Sequence, residues 1–242
     1  MIDQSYRQIL EKDTQDYKSC PLKWDCENCD KSLCLRIVAL ADFPTKHGHF
    51  NIIGFLNNKD KKDHLMVVKG NVAHEEDVLT RLHSSCVTGD ALGSLRCDCG
   101  PQLAKSLDKM EREGRGILLY MQQEGRGIGL TNKIVTYMLQ DLGADTYEAN
   151  VDLGFKPDER DYELAAAMLR SLDVKSIRLL TNNPEKIVEL RRYGIKISER
   201  IPLQIRPNKY NRSYLETKKA RFGHLLSLES ASRQSKRPTK HS

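Results

Sequence analysis

The pattern of apolar and polar positions changes character near the middle of the chain. Between Leu35 and about Cys86, the apolar residues lie in short runs separated by turn-prone segments, which is typical of β-strands. The predicted strands are Leu35–Ala41, His49–Leu56, Leu65–Val68 and Val78–Leu82. This part of the chain is therefore expected to be mostly β.

After Cys99 the apolar positions recur at helical spacing, and the helical faces alternate with short apolar runs that favour strands. One face is made by Leu103, Leu107 and Met110, another by Ala165, Met168, Leu169 and Leu172, and the strand-like runs are Gly116–Tyr120 and Ile177–Leu180. Alternating strands and helices imply a layered body. We therefore predict an α/β fold with α+β character in its first half.

Two helices have ends marked by the sequence. The helix around Ile187 has Asn183 as its predicted N-cap and Pro184 at its first position. The helix that contains Met168 has Asp161 as its predicted N-cap. Both predictions rest on residue types that accept a hydrogen bond from the free backbone N–H groups of a first turn.

Composition divides the chain into three parts. Residues 1–34 are polar, contain four cysteines and are interpreted as an N-terminal extension. Residues 35–226 carry the apolar pattern and form the predicted main domain. Residues 227–242 are rich in Ser, Lys, Arg and Pro, and we predict a disordered basic tail.

The charge balance leaves two kinds of partner open. The chain has 242 residues, of which 39 are basic and 33 acidic, giving a net charge of +6. This surplus is weak support for nucleic-acid binding, and a site for a polyanionic small molecule would produce it equally well. The apolar runs are too short to span a bilayer, and the first ten residues lack the apolar stretch of a signal peptide, so we expect a cytoplasmic protein.

All seven cysteines lie at or before Cys99, which in a cytoplasmic chain points to metal rather than disulfides. Cys86, Cys97 and Cys99 form the stronger group, because three thiolates leave one tetrahedral position open, as in a catalytic zinc site. Zinc in such a site lowers the pKa of bound water to about 7. The alternative is three buried, inert cysteines, which the polar neighbours Arg96 and Asp98 disfavour.

The cysteines of the extension are Cys20, Cys26, Cys29 and Cys34. Four cysteines could close a second, structural zinc site. Their spacing is irregular and no apolar core surrounds them, so reduced, loosely ordered thiols are the alternative. One zinc ion per chain would mean a bare extension, and two would mean a second site.

Three polar segments are candidates for chemistry. The glycine-rich segment 122–130 lies between a predicted strand and helix, where backbone N–H groups can approach an anion and Arg126 adds a forked donor. Lys186 lies in a helical first turn, where a bound phosphate would offset the unfavourable helix dipole. The simpler alternatives are a tight turn and a solvated lysine. The acidic residues of Asp158–Asp161 precede a helix, where they can interact favourably with the helix dipole. Alternatively, one of these carboxylates could act as a general base if it lies near a metal-bound water.

Taken together, these segments make the chain from about Leu35 to Leu226 resemble GTP cyclohydrolase II. The residues that carry the resemblance are His83–Leu103, Gly114–Tyr120, Gln123–Leu130, Asn132–Ile134, Leu153–Phe155, Asp158–Asp161, Leu179–Pro184, Thr217–Lys219 and Gly223–Leu226. The resemblance implies a mixed sheet with flanking helices and a homodimer. It also implies a hydrolase of cyclic amidine bonds that opens the guanine ring of GTP in riboflavin biosynthesis, releasing formate and pyrophosphate. We expect neither nucleic acid nor a membrane as partner.

The resemblance also assigns roles to residues by matching position. One catalytic Zn²⁺ per subunit would be held by Cys86, Cys97 and Cys99, and Mg²⁺ would accompany the GTP phosphates. Asp158 matches the family's proton acceptor, Arg160 the residue proposed as nucleophile toward the α-phosphate, and Tyr137 an active-site tyrosine. The positions that contact GTP match Arg81, Leu82, His83, Ser84, Ser85, Gln102, Glu124, Gly125, Arg126, Thr146, Thr181 and Lys186.

Some positions depart from the family pattern. Ser85 stands where a glutamate is usual, which removes a charged group beside the first zinc cysteine. Gly93 and Pro101 replace phenylalanine, so altered packing around the zinc loop is expected, and Gln122 replaces an arginine. Arg160 raises a different question, because a guanidinium with a pKa above about 12 is a poor nucleophile. A clamp on the phosphate is its alternative role.

Two other functions stay open at this point. A diverged paralogue could open the GTP ring for another pathway or stop at a formylated product. A zinc-dependent module that binds nucleic acid or protein could be built on the N-terminal cysteines and the basic tail.

Overall fold

The computed structural model describes residue 8, residues 32–143 and residues 146–228, apart from the side chain of Thr146. The strands in these residues are β1 (Leu35–Thr45), β2 (Gly48–Asn57), β3 (Leu65–Lys69), β4 (Val78–Ser84), β5 (Gly116–Met121), β6 (Ile177–Leu180) and β7 (Ile197–Ile201). The helices are α1 (Val87–Asp90), α2 (Cys99–Glu113), α3 (Leu130–Asp141), α4 (Thr146–Asp152), α5 (Glu163–Ser171), α6 (Pro184–Arg192) and α7 (Arg212–Phe222), and a 3-10 turn covers Glu124–Gly127. Across these ranges, no helix has both the length and the apolar character that crossing a membrane requires.

The strands form one mixed sheet in the order β1-β2-β3-β5-β4-β6-β7. Strands β1, β2, β3 and β5 pair antiparallel, whereas β5, β4, β6 and β7 run parallel. The four strands predicted before Cys86 are all present. The predicted α/β fold, a mixed sheet with flanking helices, is confirmed.

Apolar side chains cover both faces of the central strands. On β5, Ile117, Leu119 and Met121 lie in one core cluster together with residues of α5, whereas Leu118 lies in a second cluster with Met110 of α2. Successive residues of a strand point to opposite faces, so a strand packed on both sides is apolar throughout. This is why the sequence of β5 is a continuous apolar run.

The helix ends agree with the sequence at α6 and differ at α5. Asn183 caps α6 and accepts a hydrogen bond of 3.0 Å from the backbone N–H of Glu185, as predicted. At α5 the N-cap is Tyr162 instead of Asp161. The Asp161 carboxylate still accepts a hydrogen bond of 2.8 Å from the backbone N–H of Glu163. Asp161 therefore accepts a hydrogen bond from the first turn of α5 although it lies one residue before the N-cap.

The carboxyl ends of the parallel strands position the functional residues. Ser84 at the end of β4 pairs with Met121 at the end of β5, and β6, on the other side of β4, ends at Leu180. In open sheets with parallel strands, ligands bind outside these carboxyl ends. The segments that follow β4, β5 and β6 therefore meet at one edge of the sheet.

Candidate active site

Three thiol groups meet just beyond the end of β4. Cys86 follows the strand, Cys99 begins α2, and Cys97 lies two residues before it. Their sulfur atoms all lie within 4.8 Å of one another, and the Sγ atoms of Cys86 and Cys97 are 3.7 Å apart. Three thiols at this spacing suit a single soft or borderline metal ion. The structure thus brings together the cysteines that the sequence proposed as a group.

Gly89 in α1 makes room for this thiol cluster. A Cβ atom on Gly89 would lie 2.6 Å from the Sγ of Cys97 and 3.2 Å from the Sγ of Cys86. Gly89 does not have a positive φ, so its requirement for glycine is steric. A backbone that closes this tightly around converging thiols fits a metal site.

Inert cysteines would lie in apolar surroundings, whereas these cysteines have polar neighbours. The Nζ of Lys133 donates a hydrogen bond of 3.1 Å to the Sγ of Cys86. Hydrogen bonds from Cys97 and Cys99, together with Lys133, hold the pKa of Cys86 well below its ordinary value. The hydrogen bond with Cys86 raises the pKa of Cys97 to about 11. Of these thiols, Cys86 is therefore the one that ionises most readily.

Asp98, which lies between Cys97 and Cys99, links helix α7 to the thiol cluster. Its Oδ1 accepts a hydrogen bond of 2.9 Å from the Nζ of Lys218 in α7, and its Oδ2 accepts one of 2.5 Å from the Nε2 of Gln102. Burial alone would raise the pKa of Asp98, but Lys218 holds it below its ordinary value. Asp98 is therefore an ionised, buried anchor.

A cleft opens beside the thiols. Its empty volume, counted out to the open mouth and including solvent, is about 1100 Å³. The lining includes the cationic side chains of Arg81, Arg126, Arg160, Lys186 and Lys218. Several cations gathered in one cleft attract an anion of multiple charge. The cleft therefore has the electrostatics of a polyanion site.

Lys186 is buried in this cleft, so the simpler expectation of a solvated lysine is wrong. Its exposed fraction is 5%, and its Nζ donates a hydrogen bond of 2.8 Å to the carbonyl oxygen of Leu82. Burial, with the nearby charges of Arg81 and Arg160, holds the pKa of Lys186 well below its ordinary value. An anion in the cleft would stabilise the charged form, which supports the phosphate site predicted at the start of α6.

Arg81 on β4 forms part of the cleft wall. Its guanidinium donates hydrogen bonds to the carbonyl oxygen of Leu180 at 2.9 Å and to the Oε1 of Gln102 at 2.5 Å. Its Nε is buried without a hydrogen-bond partner, and burial lowers the pKa of Arg81 to about 10. An unpartnered buried donor beside a cleft is a place where a ligand oxygen fits.

The glycine-rich segment after β5 forms a tight turn. Gly125 and Arg126 both have φ of +61°, a left-handed conformation that is uncommon for a residue with a side chain. The guanidinium of Arg126 stacks on the ring of Phe222 at 3.8 Å, and its Nη1 is buried without a partner. The turn therefore places the forked donor of Arg126 at the wall of the cleft.

Asp158 and Arg160 form a bidentate ion pair at the cleft. The Nε of Arg160 lies 2.8 and 3.1 Å from the two carboxylate oxygens, and its Nη2 also contacts the carboxylate. Burial alone would raise the pKa of Asp158, but Arg160 holds it below its ordinary value. The carboxylate is thus ionised at neutral pH, and it fixes the orientation of Arg160.

The end of β4 supplies unpartnered polar atoms. The Nε2 of His83 lies 3.0 Å from the Oδ2 of Asp90, and burial lowers the pKa of His83. The Nδ1 of His83 and the hydroxyls of Ser84 and Ser85 are buried without hydrogen-bond partners. Buried polar atoms are usually paired, so these three are candidates for ligand contacts.

Sequence comparison now identifies the family. A family model described as GTP cyclohydrolase II matches residues 36–202, which is most of the chain. The chain belongs to the GTP cyclohydrolase II family. GTP is the substrate of this family of hydrolases, which favours an enzyme over the binding-module alternative.

Relatives at high identity agree with the GTP cyclohydrolase II assignment. A GTP cyclohydrolase-2 from Tolumonas auensis is 54% identical over 190 residues, which cover 78% of this chain and 96% of that protein. One from Haemophilus influenzae is 51% identical over 193 residues, covering 79% and 89%. The riboflavin biosynthesis protein RibBA of Chlorobium phaeovibrioides is 52% identical over 192 residues, covering 79% of this chain and 47% of that protein. The chain thus spans about half the length of the RibBA relatives that it matches.

A comparison with solved structures gives a weak likeness. The crystal structure of RibBX, a two-domain 3,4-dihydroxy-2-butanone 4-phosphate synthase from A. baumannii, matches with a TM-score of 0.34 and 18% identity. The match covers 63% of this chain and 35% of that one. A likeness at this level bears on neither fold nor function.

The residues predicted from the GTP cyclohydrolase II resemblance converge on the cleft. Besides the three cysteines, the cleft is lined by Arg81, His83, Ser84, Ser85, Gln102, Glu124, Gly125, Arg126, Tyr137, Arg160, Thr181 and Lys186. Leu82 is an exception, because its side chain lies in the core and it contributes its carbonyl oxygen to Lys186. Asp158 reaches the cleft through Arg160. The side chain of Thr146 lies outside the described residues.

The second zinc site stays a prediction. Cys20, Cys26 and Cys29 lie outside the described residues. Cys34 is buried, its backbone N–H donates a hydrogen bond of 2.7 Å to the Oδ1 of Asn58, and its Sγ accepts one of 3.5 Å from the Nε of Arg36.

Among the residues that line the cleft without a site role predicted from the sequence are Lys133, Tyr214, Lys218 and His224. Lys133, Lys218 and His224 belong to segments that carry the family resemblance, so a signal for them was present. Tyr214 had no such signal, because only the packing of α7 brings it to the cleft.

The departures from the family pattern lie in three different environments. Ser85 lies in the cleft, and its buried hydroxyl lacks a partner where the family usually has a glutamate. Gly93 and Pro101 are exposed, and a Cβ on Gly93 would meet no atom within 4 Å. A larger side chain at position 93 would therefore extend into open space. Gln122 is half-buried, and its backbone N–H donates a hydrogen bond of 3.1 Å to the Nδ1 of His64.

Proposed function

We propose that this chain is a GTP cyclohydrolase II that hydrolyses GTP to 2,5-diamino-6-(5-phosphoribosylamino)pyrimidin-4(3H)-one, formate and pyrophosphate, the first step of riboflavin biosynthesis. The observation that carries this proposal is the meeting of a three-thiol cluster and several buried cations in one cleft. The family supplies the identity of the polyanion as GTP.

Zinc is the metal that we propose for the thiol cluster. One ion per chain would be held by Cys86, Cys97 and Cys99, whose thiols suit zinc and leave a coordination position for water. When bound, zinc would supply Lewis acidity that activates water toward the guanine ring. Asp98 keeps the two cysteines of its loop in place through its bonds to Lys218 and Gln102. Mg²⁺ is proposed as the counter-ion of the phosphates.

The cations of the cleft would bind the triphosphate. Arg126 has a buried donor without a partner, and Lys186 is disfavoured as a cation until an anion is present. For Arg160 we propose a clamping role, because Asp158 fixes its guanidinium and, although burial opposes the charge, Tyr162 and Asp158 hold the pKa of Arg160 above its ordinary value. A guanidinium that keeps its protons has no lone pair for nucleophilic attack.

Asp158 and Tyr137 are proposed to handle protons. The pKa of Asp158 is lowered, so its carboxylate is ionised and able to accept a proton released during ring opening. Burial raises the pKa of Tyr137, so its hydroxyl stays neutral. That hydroxyl lies 3.2 Å from the Oγ1 of Thr88, beside Cys86, where it can donate to the substrate.

A homodimer is supported by an apolar stripe on α3 and the residue after it. Leu130, Ile134, Met138 and Leu142 are spaced four residues apart, as on one helix face, and are 41%, 48%, 56% and 79% exposed. A contiguous exposed apolar patch is a feature of protein–protein interaction sites. Light scattering of the I134E/M138E variant should show a monomer where the parent chain is a dimer, and identical masses would contradict this proposal.

The central test is turnover. The full chain is incubated with GTP, Zn²⁺ and Mg²⁺ while formate, pyrophosphate and the pyrimidine product are followed, and zinc is counted per chain. We expect all three products in equal amounts and loss of turnover in C97S. A product that retains the formyl group would identify a paralogue, and absence of turnover would contradict the proposal.

A further inference from the structure

Lys133 of α3 is buried beside the thiol cluster with three acceptors around its ammonium group. Its exposed fraction is 8%. Its Nζ lies 3.1 Å from the Sγ of Cys86, 2.8 Å from the Oγ1 of Thr88 and 2.8 Å from the Oε1 of Glu124. An ammonium group has three protons, so each contact can be a hydrogen bond that lysine donates.

We propose that Lys133 is a positioning residue that holds the Cys86 thiolate for metal binding and couples it to the glycine-rich turn. This inference rests on the proposed function only in taking Cys86 as a metal ligand. The proposed role does not require Lys133 to contact GTP or to transfer a proton.

Charge balance is the first argument. Three thiolates and one divalent ion carry a net charge of −1, and burial makes that charge costly unless a cation lies beside it. Lys133 is such a cation, and its hydrogen bond reaches one of the three ligand atoms directly. Outer contacts of this kind orient metal ligands and tune the metal.

The second argument is the network that Lys133 completes. Besides accepting from Lys133, Glu124 accepts hydrogen bonds from the backbone N–H groups of Val87 and Gly125 at 2.7 and 3.0 Å. Thr88 joins the same ammonium to the hydroxyl of Tyr137. The metal ligand, the glycine-rich turn and the active-site tyrosine are therefore held at fixed separations by one side chain.

The base of the Lys133 side chain also packs closely against the glycine-rich turn. A Cβ on Gly125 would lie 3.1 Å from the Cβ of Lys133. A side chain at position 125 would therefore press against α3, and its backbone would have to keep the left-handed φ of +61°. This proximity places Glu124 within reach of the ammonium group.

The test uses Co²⁺ in place of zinc, because cobalt–thiolate sites absorb light through charge transfer from sulfur to metal. In K133M the Cys86 sulfur loses a hydrogen bond and becomes more electron-rich, so the charge-transfer band should move to longer wavelength. Release of Co²⁺ to a chelator should be about 10- to 100-fold faster. K133R, which keeps the cation, should lie between K133M and the parent chain.

Two further variants keep the experiment decisive. K133M could fold poorly because the Glu124 carboxylate would lose its cation. E124Q/K133M removes both charges of the pair and avoids this problem, and it should show the same spectral shift as K133M. K105M removes an exposed lysine of α2 and should match the parent chain. A K133M or double variant with the parent band and release rate would overturn the inference. Because these readouts need no GTP, they also separate its failure from that of the proposed activity.

Discussion

Lys218 and Asp98 form a buried ion pair that joins residues 120 positions apart, with 2.9 Å between Nζ and Oδ1. The pair links α7, which lies beyond the region matched by the family model, to the residue between two thiols. Helix α7 is therefore a structural part of the site.

Loss of Lys218 should destabilise the protein strongly. In K218M the Asp98 carboxylate stays buried without its cation, and removing one partner of a buried pair costs about 3–5 kcal/mol. The free energy of unfolding, measured in urea, should fall by that order. K175M, which breaks the exposed pair of Lys175 with Asp173, should change it by less than about 1 kcal/mol. D98N/K218M should lose less than K218M, and an equal loss would argue against the pairing.

Replacement of Gly89 should empty the thiol cluster of metal. In G89A the new methyl group would meet the Sγ of Cys97 at 2.6 Å, so the thiols must separate. Zinc per purified chain, measured by mass spectrometry, should fall by about tenfold or more. G54A is the matched control, because a Cβ on Gly54 meets only Val38 at an ordinary 3.6 Å. Full zinc content in G89A would contradict a site built around these sulfurs.

Arg160 should act without forming a covalent bond to substrate. Intact mass spectrometry of the parent chain and of D158N during GTP turnover should show no guanylyl adduct. R160K keeps the charge but loses the fork that binds two oxygens at once, and we expect kcat/KM to fall about 100-fold. An adduct mapped to Arg160 would establish the nucleophilic role instead.

His224 should make stability depend on pH below neutrality. Burial and the charges of Lys218 and Arg160 lower the pKa of His224 from 6.5 to about 2. Between those values the unfolded chain binds a proton that the folded chain does not, so stability falls as the pH falls below 6.5. The drop in unfolding free energy from pH 7.5 to 5.5 should be smaller in H224Q by about 1 kcal/mol. Equal drops in the two proteins would show that His224 is not buried as a neutral group.

The features that the sequence predicted well are local ones. The four strands before Cys86 follow from short apolar runs, and the start of α6 follows from the residue types at Asn183 and Pro184. The thiol cluster was predictable because its members lie within fourteen residues of one another. In each case the interacting groups are neighbours along the chain.

The features that escaped prediction depend on distant packing. Lysine is mostly exposed, so no pattern marks Lys133, Lys186 or Lys218 as buried. Each has a hydrogen-bond partner far away along the chain, at 47, 104 and 120 positions respectively. The expectation of a solvated Lys186 failed for this reason, because its acceptor, the carbonyl oxygen of Leu82, lies on the distant strand β4.

The pairing of Lys218 with Asp98 also sets an order of events during synthesis. A ribosome adds about 5–20 residues per second, so Lys218 leaves it about 6–24 s after Asp98. During that interval the thiols are already translated, whereas α7 is not yet available to cover them. A nascent chain therefore exposes these sulfurs to the surrounding ion pool before the wall of the cleft exists.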